Sequence, residues 1–340
     1  MILGMSNERN YMDATSTNIA DAFRVRPDGP EMEHVDPDLT TDERVEAAEL
    51  ATRRRAYGLS RGIDRGHFYQ LTADSIVFDN RPDFGLRTRQ GLETFIYRLR
   101  ETGTEDSRDT EMLVESLGHL AMYVRDGWET GIYNEFRHFQ GRGLTKVQIL
   151  ELVLYAHLAA GIRGLKQVYN AVGKHLVDWQ DEPPPRTRIG QPAAWPKGWA
   201  PDPAAFKAGL DLTVTPMTNQ DRENIEAWYD HNVGFLPGSV SFAMTYHPEF
   251  YKWHRARWEM IFQTLPKQVL PYIMIREHMA TGFTEGIREA VLLAKHWDVG
   301  KEWVVHAFMI NAYFTGFEQL GVVNQAVGDV MAEWDQPARG

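Results

Sequence analysis

Twelve histidines are available for acid–base chemistry in this sequence, which has no cysteine. Without cysteine the chain has no disulfide, thiolate metal site, iron–sulfur cluster or cysteine nucleophile. His278 follows Pro271 and Ile275 along one helical stripe, which Gly282 continues. This position predicts an acid–base histidine that faces a cavity. The alternative is a histidine that is hydrogen-bonded within the core.

The first half of the chain offers His119, Tyr123 and Glu135 as further catalytic candidates. His119 and Tyr123 lie one helical turn apart, and Glu135 lies one turn beyond Gly131 on the next predicted helix. A buried carboxylate or phenol can act as a general acid when burial moves its pKa towards the working pH. The alternative for Glu135 is a surface charge that pairs with a neighbouring cationic side chain.

A tryptophan-rich helix predicted at 248–262 carries further candidates on its broad inner face. They are His254, as another catalytic residue, and Arg257, as a residue that binds an acidic substrate. Aromatic side chains line cores and small-molecule pockets, so we expect four of them to bind the substrate. These four are Trp128, Trp253, Trp258 and Phe283. The alternative for His254 and Arg257 is a stacked pair with a structural role.

Two pairs of residues have the spacing of metal ligands on one helix face: Glu115 with His119, and Glu135 with His138. Two ligands do not make a site, and polar helix faces often produce such pairs. We therefore expect no metal and no cofactor. The sequence also has no glycine-rich phosphate loop, Gly-x-Ser-x-Gly elbow or dinucleotide-binding fingerprint.

Apolar residues recur at helical spacing in the segments that must position these groups. Val147, Leu150 and Leu158 belong to the stripe of a half-buried helix at 144–158, which Thr145 would cap. Gly161 would end this helix. Further helices are predicted at 165–176, 248–262, 269–281, 286–295, 301–314 and 318–331. No alternating strand pattern occurs, so we predict an all-α fold of two similar helical bundles.

The sequence repeats itself at an offset of 155 residues. Gly127-Trp128-x-x-Gly131 corresponds to Gly282-Phe283-x-x-Gly286, and Ala171-Val172-Gly173 corresponds to Ala326-Val327-Gly328. Farther upstream the offset is 166, where Pro82-x-Phe84 corresponds to Pro248-x-Phe250. We predict an N-terminal arm at 1–45, a first domain at 46–180, a Pro-rich linker at 181–205 and a second domain at 206–340. The tryptophans of the linker are expected to pack on a surface.

Length and charge limit the class of protein. The 340 residues predict about two domains of ~150 residues each. Lys and Arg total 36 against 47 Asp and Glu, and this net charge of −11 argues against nucleic acid as a partner, because phosphate contacts need a cationic surplus. No run approaches the roughly 20 apolar residues of a membrane span. We expect a cytoplasmic protein with a small-molecule substrate and no membrane contact.

Several motifs resemble the carboxymuconolactone decarboxylase and alkylhydroperoxidase AhpD superfamily. They are Pro-Glu-Phe at 248–250, Leu-Pro-Lys at 265–267, Gly-Leu-Thr-Lys-Val-Gln-Ile-Leu-Glu at 143–151 and Ala-Gly-Ile at 160–162. The resemblance covers residues 80–178 and 245–333, so each half looks like one AhpD-like domain. It implies an all-α fold and a homo-oligomer formed through helix packing.

The peroxidase branch of this superfamily implies a glutamate, a Cys-x-x-Cys pair and a histidine. The matching positions hold Ser116, Trp128, Gly131 and Glu135 in the first copy, and Pro271, Phe283, Gly286 and Ala290 in the second. The redox residues are absent, so thiol peroxidase activity is excluded. The decarboxylase branch needs no cysteine chemistry and remains open.

The leading hypothesis is a cofactor-independent enzyme that acts on a small acidic, aromatic or lactone substrate by decarboxylation or a related lyase or hydrolytic step. An apolar pocket would desolvate the substrate carboxylate, an arginine would orient it, and a histidine or glutamate would protonate the carbanion. Two alternatives stay open. One is a non-catalytic protein that binds a small molecule or serves assembly, and the other is a metal-dependent hydrolase or oxygenase.

Overall fold

The computed structural model describes residues 32, 35–60, 81–96, 99, 108–179, 181 and 192–335. Every regular element in these ranges is a helix, which confirms the all-α class. The chain divides into two compact units, residues 1–94 and 95–340. The predicted limits of the arm, the linker and the two domains stay predictions, and residues 1–31 of the arm and 182–191 of the linker lie outside the described residues.

The first unit contains helix α1 (Thr41–Ser60) and most of α2 (Pro82–Ile96). Thr40 begins α1, because its hydroxyl accepts the backbone N–H of Glu43 at 3.2 Å and the Glu43 carboxylate accepts the N–H of Thr40 at 3.1 Å. Arg87 of α2 lies 2.7 Å from the same carboxylate. This ion pair joins the two helices at the surface of the unit.

The second unit holds the helices that carry nearly all the candidate residues. In chain order they are α3 (Arg108–Asp126), α4 (Glu129–Gly141), α5 (Lys146–Val177), α6 (Asn219–Asn232), α7 (Gly238–Tyr246), α8 (Pro248–Trp258), α9 (Val269–Thr281), α10 (Thr284–His296), α11 (Lys301–Thr315) and α12 (Gln319–Ala332). Helix α3 packs against α4 and α9, and α9 also packs against α10 and α11. No helix in the described ranges is long and apolar enough to cross a membrane.

Helix boundaries in the second unit follow the 155-residue repeat of the sequence. Helices α3 and α9 end at Asp126 and Thr281, α4 and α10 begin at Glu129 and Thr284, and α5 and α11 begin at Lys146 and Lys301. The φ angle is 75° at Gly127 and 66° at Gly282, a left-handed turn that glycine adopts at no steric cost. The repeat therefore holds at the level of single helices and turns, while the division into two tandem domains stays a prediction.

Helix α5 begins as the sequence predicts. The Thr145 hydroxyl accepts the backbone N–H of Gln148 at 3.3 Å, and Gln148 Oε1 accepts the N–H of Thr145 at 3.0 Å. Gly161 has φ 64° and ψ −158°, which kinks the helix instead of ending it. The helices predicted at 144–158 and 165–176 are thus the two arms of the kinked α5.

The described part of the Pro-rich segment packs within the second unit. The Trp199 ring is buried, and its centroid lies 5.7 Å from that of Trp303 and 6.2 Å from that of Tyr272. Thr110 of α3 donates a hydrogen bond from its hydroxyl to the carbonyl oxygen of Ala194 at 2.9 Å. Residues 192–205 thus pack against the helices of the second unit, as expected for the tryptophans of this segment.

A fully buried ion pair joins α6 to α8. Lys252 Nζ lies 2.9 Å from Asp221 Oδ2 and donates to the carbonyl oxygen of Val214 at 2.8 Å. Asp221 also accepts the backbone N–H of Thr218 at 2.9 Å. Burial alone would raise the pKa of Asp221, but the hydrogen bonds from Lys252 and Thr218 outweigh it and lower that pKa to about 2.

We expect Asp221→Asn to lower the free energy of unfolding at neutral pH by about 3–5 kcal/mol, because it leaves the Lys252 charge buried without its partner. The folded-state pKa of Asp221 lies below the unfolded value of about 3.9, so the carboxylate stabilises the fold above pH ~4. This contribution is lost as the pH falls towards 2. In urea unfolding, the difference in the free energy of unfolding between wild type and variant should therefore shrink as the pH falls through this range.

Glu226→Gln, an exposed change on α6, is the matched control and should behave as wild type at every pH. If the free energies of unfolding of wild type and Asp221→Asn differ by the same amount at neutral and acidic pH, this account is contradicted.

Candidate active site

Helix α3 presents three ionisable side chains along one face. Glu111, Glu115 and His119 follow each other at intervals of four residues, so they form a row, and all three are buried. A tight turn returns the chain beside α3 as α4, which adds Glu135 and His138. The hairpin of α3 and α4 therefore brings together the two residue pairs that have metal-ligand spacing in the sequence.

His119 lies between two carboxylates. Its Nε2 is 3.6 Å from Glu115 Oε1, and its Nδ1 is 3.7 Å from Glu135 Oε1. Glu135 Oε2 is 3.1 Å from Nδ1 of His138, and the hydroxyl oxygen of Ser116 lies 3.4 Å from the same nitrogen. These side chains form a continuous polar row between α3 and α4.

Helices α9 and α11 add side chains from the second repeated block. His306 Nε2 lies 3.7 Å from Glu111 Oε1, and the Tyr272 hydroxyl lies 3.2 Å from Nδ1 of His306. Arg276 donates from Nε to Asn311 Oδ1 at 2.9 Å. The group that we call the buried cluster consists of Glu111, Glu115, His119, Glu135, His138, Arg276 and His306.

Arg276 fits against α3 because residue 118 is glycine. A Cβ at position 118 would lie 2.7 Å from Cγ and 2.9 Å from Nη1 of Arg276. The arginine is fully buried, and its Nη2 donates to Met122 Sδ at 3.3 Å. Its Nη1 has no hydrogen-bond partner among the described residues. The cluster thus contains a buried cation with an unused donor.

Burial dominates the protonation states in the cluster. Burial, followed by the charge of Arg276, lowers the pKa of His119 and of His306 to about 3, so both imidazoles are neutral at pH 7. Burial raises the pKa of Glu115 to about 7, against the effect of Arg276. Burial acts in the same direction on Glu135, but His138 outweighs it and the pKa of Glu135 is lowered. Neutral imidazoles and carboxyl groups therefore meet in one buried place.

The structure brings together three of the five catalytic candidates. His119 and Glu135 belong to the cluster, and the Tyr123 ring stacks on His119 with 5.8 Å between centroids. Tyr123 also packs edge-on against Trp128 at 4.6 Å. Gly131 permits this packing, since a Cβ there would lie 2.6 Å from the Tyr123 ring. The catalytic roles of these residues stay predictions.

His278 lies outside the cluster, although it occupies the repeat position of Tyr123. Its ring packs edge-on against Phe283 with 5.4 Å between centroids, and its Nδ1 has no hydrogen-bond partner in the part of the chain that the structure describes. Burial, followed by the charge of Arg125, lowers the pKa of His278 to about 4. The adjacent Glu277 accepts a hydrogen bond from the Tyr155 hydroxyl and pairs with Arg125 at 2.9 Å.

The remaining candidates form a local group on α8, which packs mainly against α7. The Trp258 indole N–H donates to His254 Nε2 at 2.9 Å, and Arg257 lies 3.1 Å from the other ring nitrogen. Trp253 and Arg257 are exposed. These residues therefore lie on a different helix from those that build the buried cluster.

Glu111, Arg276, His306 and Asn311 were not among the sequence candidates, although each leaves a local signal. Glu111 extends the four-residue row of Glu115 and His119. His306 and Asn311 are isolated polar residues within the apolar stretch of α11, and Arg276 directly follows the apolar run at 273–275. A polar side chain in such a position needs a buried partner, and this requirement is the signal that could have selected them.

We expect Gly118→Ala to destabilise the protein by about 1–3 kcal/mol, because the new Cβ would force the buried Arg276 side chain to move. Gly321→Ala on α12 is the matched control, since a Cβ there meets nothing within 4 Å. That change should be neutral or stabilise by up to about 1 kcal/mol, as alanine favours helix. Thermal unfolding of the two variants tests this. Equal melting temperatures for the two variants would show that the Arg276 side chain can move without loss of stability.

No protein-family model matches the sequence, and comparison with curated proteins and with solved structures finds no similar one. The resemblance to the carboxymuconolactone decarboxylase and AhpD superfamily therefore stays a prediction.

Proposed function

We propose that the buried cluster is the active site of an enzyme that acts on a small acidic, aromatic or lactone substrate by acid–base chemistry, with decarboxylation as the leading reaction. The observation that carries this proposal is the position of His119 between Glu115 and Glu135, at 3.6 and 3.7 Å. A histidine held between carboxylates in a buried site is suited to proton transfer. The resemblance to the decarboxylase branch points in the same direction.

Arg276 is the group that would bind the substrate carboxylate. Its Nη1 has no hydrogen-bond partner among the described residues, and the side chain is fully buried. A guanidinium in a low-dielectric site binds a carboxylate more strongly than one in water does. The sequence suggested Arg257 for this role, but Arg257 is exposed on α8. Arg276 fits the role better because it lies in the cluster with His119.

His119 would then pass on the proton that completes the reaction. It is a neutral imidazole in the free protein and would take up one proton together with the anionic substrate, whose charge opposes that of Arg276. When the bond between the substrate carbon and its carboxylate breaks, CO2 leaves and the electron pair stays on the carbon. The imidazolium gives its proton to that carbon and returns to the neutral form, while Glu135 holds the ring in place through its contact with Nδ1. His138, at 3.1 Å from the same carboxylate, fixes Glu135 in turn.

Aromatic side chains around His119 would favour loss of the carboxylate. The Phe314 ring packs edge-on against the imidazole at 4.3 Å, and the Tyr123 ring stacks on it with 5.8 Å between centroids. Such surroundings desolvate a substrate carboxylate and weaken it against loss of CO2. They also suit an aromatic or unsaturated ring as substrate.

We expect His119→Asn and Glu135→Gln each to lower kcat by about 10²–10⁴-fold, the usual contribution of a general acid or base. His278→Asn is the matched control, because it removes a buried histidine outside the cluster and should leave kcat within about threefold. Turnover is measured with a panel of lactones and aromatic carboxylic acids. Circular dichroism shows that each variant is folded.

A second outcome would identify a binding protein instead. If His119→Asn and Glu135→Gln leave every turnover unchanged while a ligand from the panel still binds, the cluster is not catalytic. A loss of kcat in His278→Asn alone would place the chemistry in the second repeated block.

A further inference from the structure

We infer that Glu111, Glu115 and His306 bind one divalent first-row transition-metal ion beside the proposed acid–base residues. One ligand atom from each of the three lies within 4.8 Å of the others. Within the described ranges this is the one such group of three His, Asp or Glu side chains. The inference goes beyond the proposed function and does not depend on it.

The helices already hold these side chains close to the geometry of a bound ion. Glu111 and Glu115 lie one turn apart on α3, and His306 faces them from α11 with its Nε2 3.7 Å from Glu111 Oε1. Ligands at about 2.0–2.2 Å from a metal lie about 3–3.5 Å from one another. Small rotations of the side chains would therefore complete the site without movement of the helices.

An unsatisfied oxygen is the second observation that points to a ligand. Glu115 is 7% exposed, and its Oε2 has no hydrogen-bond partner in the described part of the chain. Glu151, which is 5% exposed, accepts the backbone N–H groups of Thr264 and Leu265 at 2.9 Å each. Buried carboxylate oxygens in proteins are normally hydrogen-bonded, as those of Glu151 are, and Glu115 Oε2 departs from that pattern.

His306 is oriented as a metal ligand would be. The Tyr272 hydroxyl lies 3.2 Å from its Nδ1, which leaves Nε2 directed to the glutamates. A partner of this kind on the second ring nitrogen is the usual support of a histidine that ligates metal. Two carboxylates and one imidazole suit Mn²⁺, Fe²⁺, Co²⁺ or Zn²⁺, whereas Ca²⁺ takes oxygen ligands.

The expectation of no metal rested on ligands that occur only as pairs in the sequence. Glu115 with His119 and Glu135 with His138 each supply two. Folding adds a third ligand, because α11 carries His306 to the row that begins with Glu111 on α3. This convergence joins residues from the two repeated blocks.

Titration of the full-length protein with metal tests the inference. The chain is purified without a histidine tag, treated with EDTA, and titrated with Co²⁺ by visible absorption and with Mn²⁺ by electron paramagnetic resonance. We expect one ion per chain. His306→Gln and Glu111→Gln should each weaken binding at least about tenfold, as loss of one ligand does. Glu151→Gln, a buried control at the repeat position of His306, should bind as wild type.

Each outcome decides the matter. The inference is overturned if wild type binds neither ion, or if both ligand variants bind as tightly as wild type. Two ligand variants are used because one of them can fail to fold, which circular dichroism would reveal. His119→Asn separates the proposals: it should lose turnover and keep the Co²⁺ spectrum.

Discussion

The close fit of Arg276 against Gly118 is the contact on which the arrangement of the buried cluster depends. Helices α3 and α9 pack side by side, and the absence of a Cβ at residue 118 gives the arginine side chain its space. The guanidinium then lies among carboxylates and imidazoles, where it lowers the pKa of His119 and opposes the rise in that of Glu115. A larger residue at 118 would separate this charge from the groups it influences.

Local features of the fold could be predicted from the sequence, since they depend on residues close together in the chain. The cap at Thr145 and the end of α9 at Thr281 follow from capping chemistry and helical periodicity. The cluster could be predicted only in part. His119 and Glu135 lie on neighbouring helices of one hairpin, whereas Arg276 and His306 reach them through packing between distant helices, which no local pattern encodes.

The two repeated blocks differ most at the positions that build the cluster. Five of its residues lie in the first block, and their counterparts at an offset of 155 cannot ionise. Glu111, Glu115, His119, Glu135 and His138 correspond to Pro266, Leu270, Met274, Ala290 and Leu293. Arg276 and Asn311 of the second block correspond to Ala121 and Ala156. Most residues of the cluster therefore have apolar counterparts, and the exception is His306, whose counterpart is the buried Glu151.

His306 and Glu151 occupy the same position of the repeat but contact different groups. His306 is buried near the start of α11, and Glu151 is buried near the start of α5. Each side chain lies close to the start of a helix in the opposite repeated block. Glu151 accepts backbone N–H groups of residues 263–265 ahead of α9, so its charge is satisfied locally. His306 meets the carboxylate of Glu111 near the start of α3 instead. The same position of the repeat therefore holds an acceptor of backbone N–H groups in one block and an imidazole beside a carboxylate in the other, so the two blocks share helix packing but not the side chains buried within it.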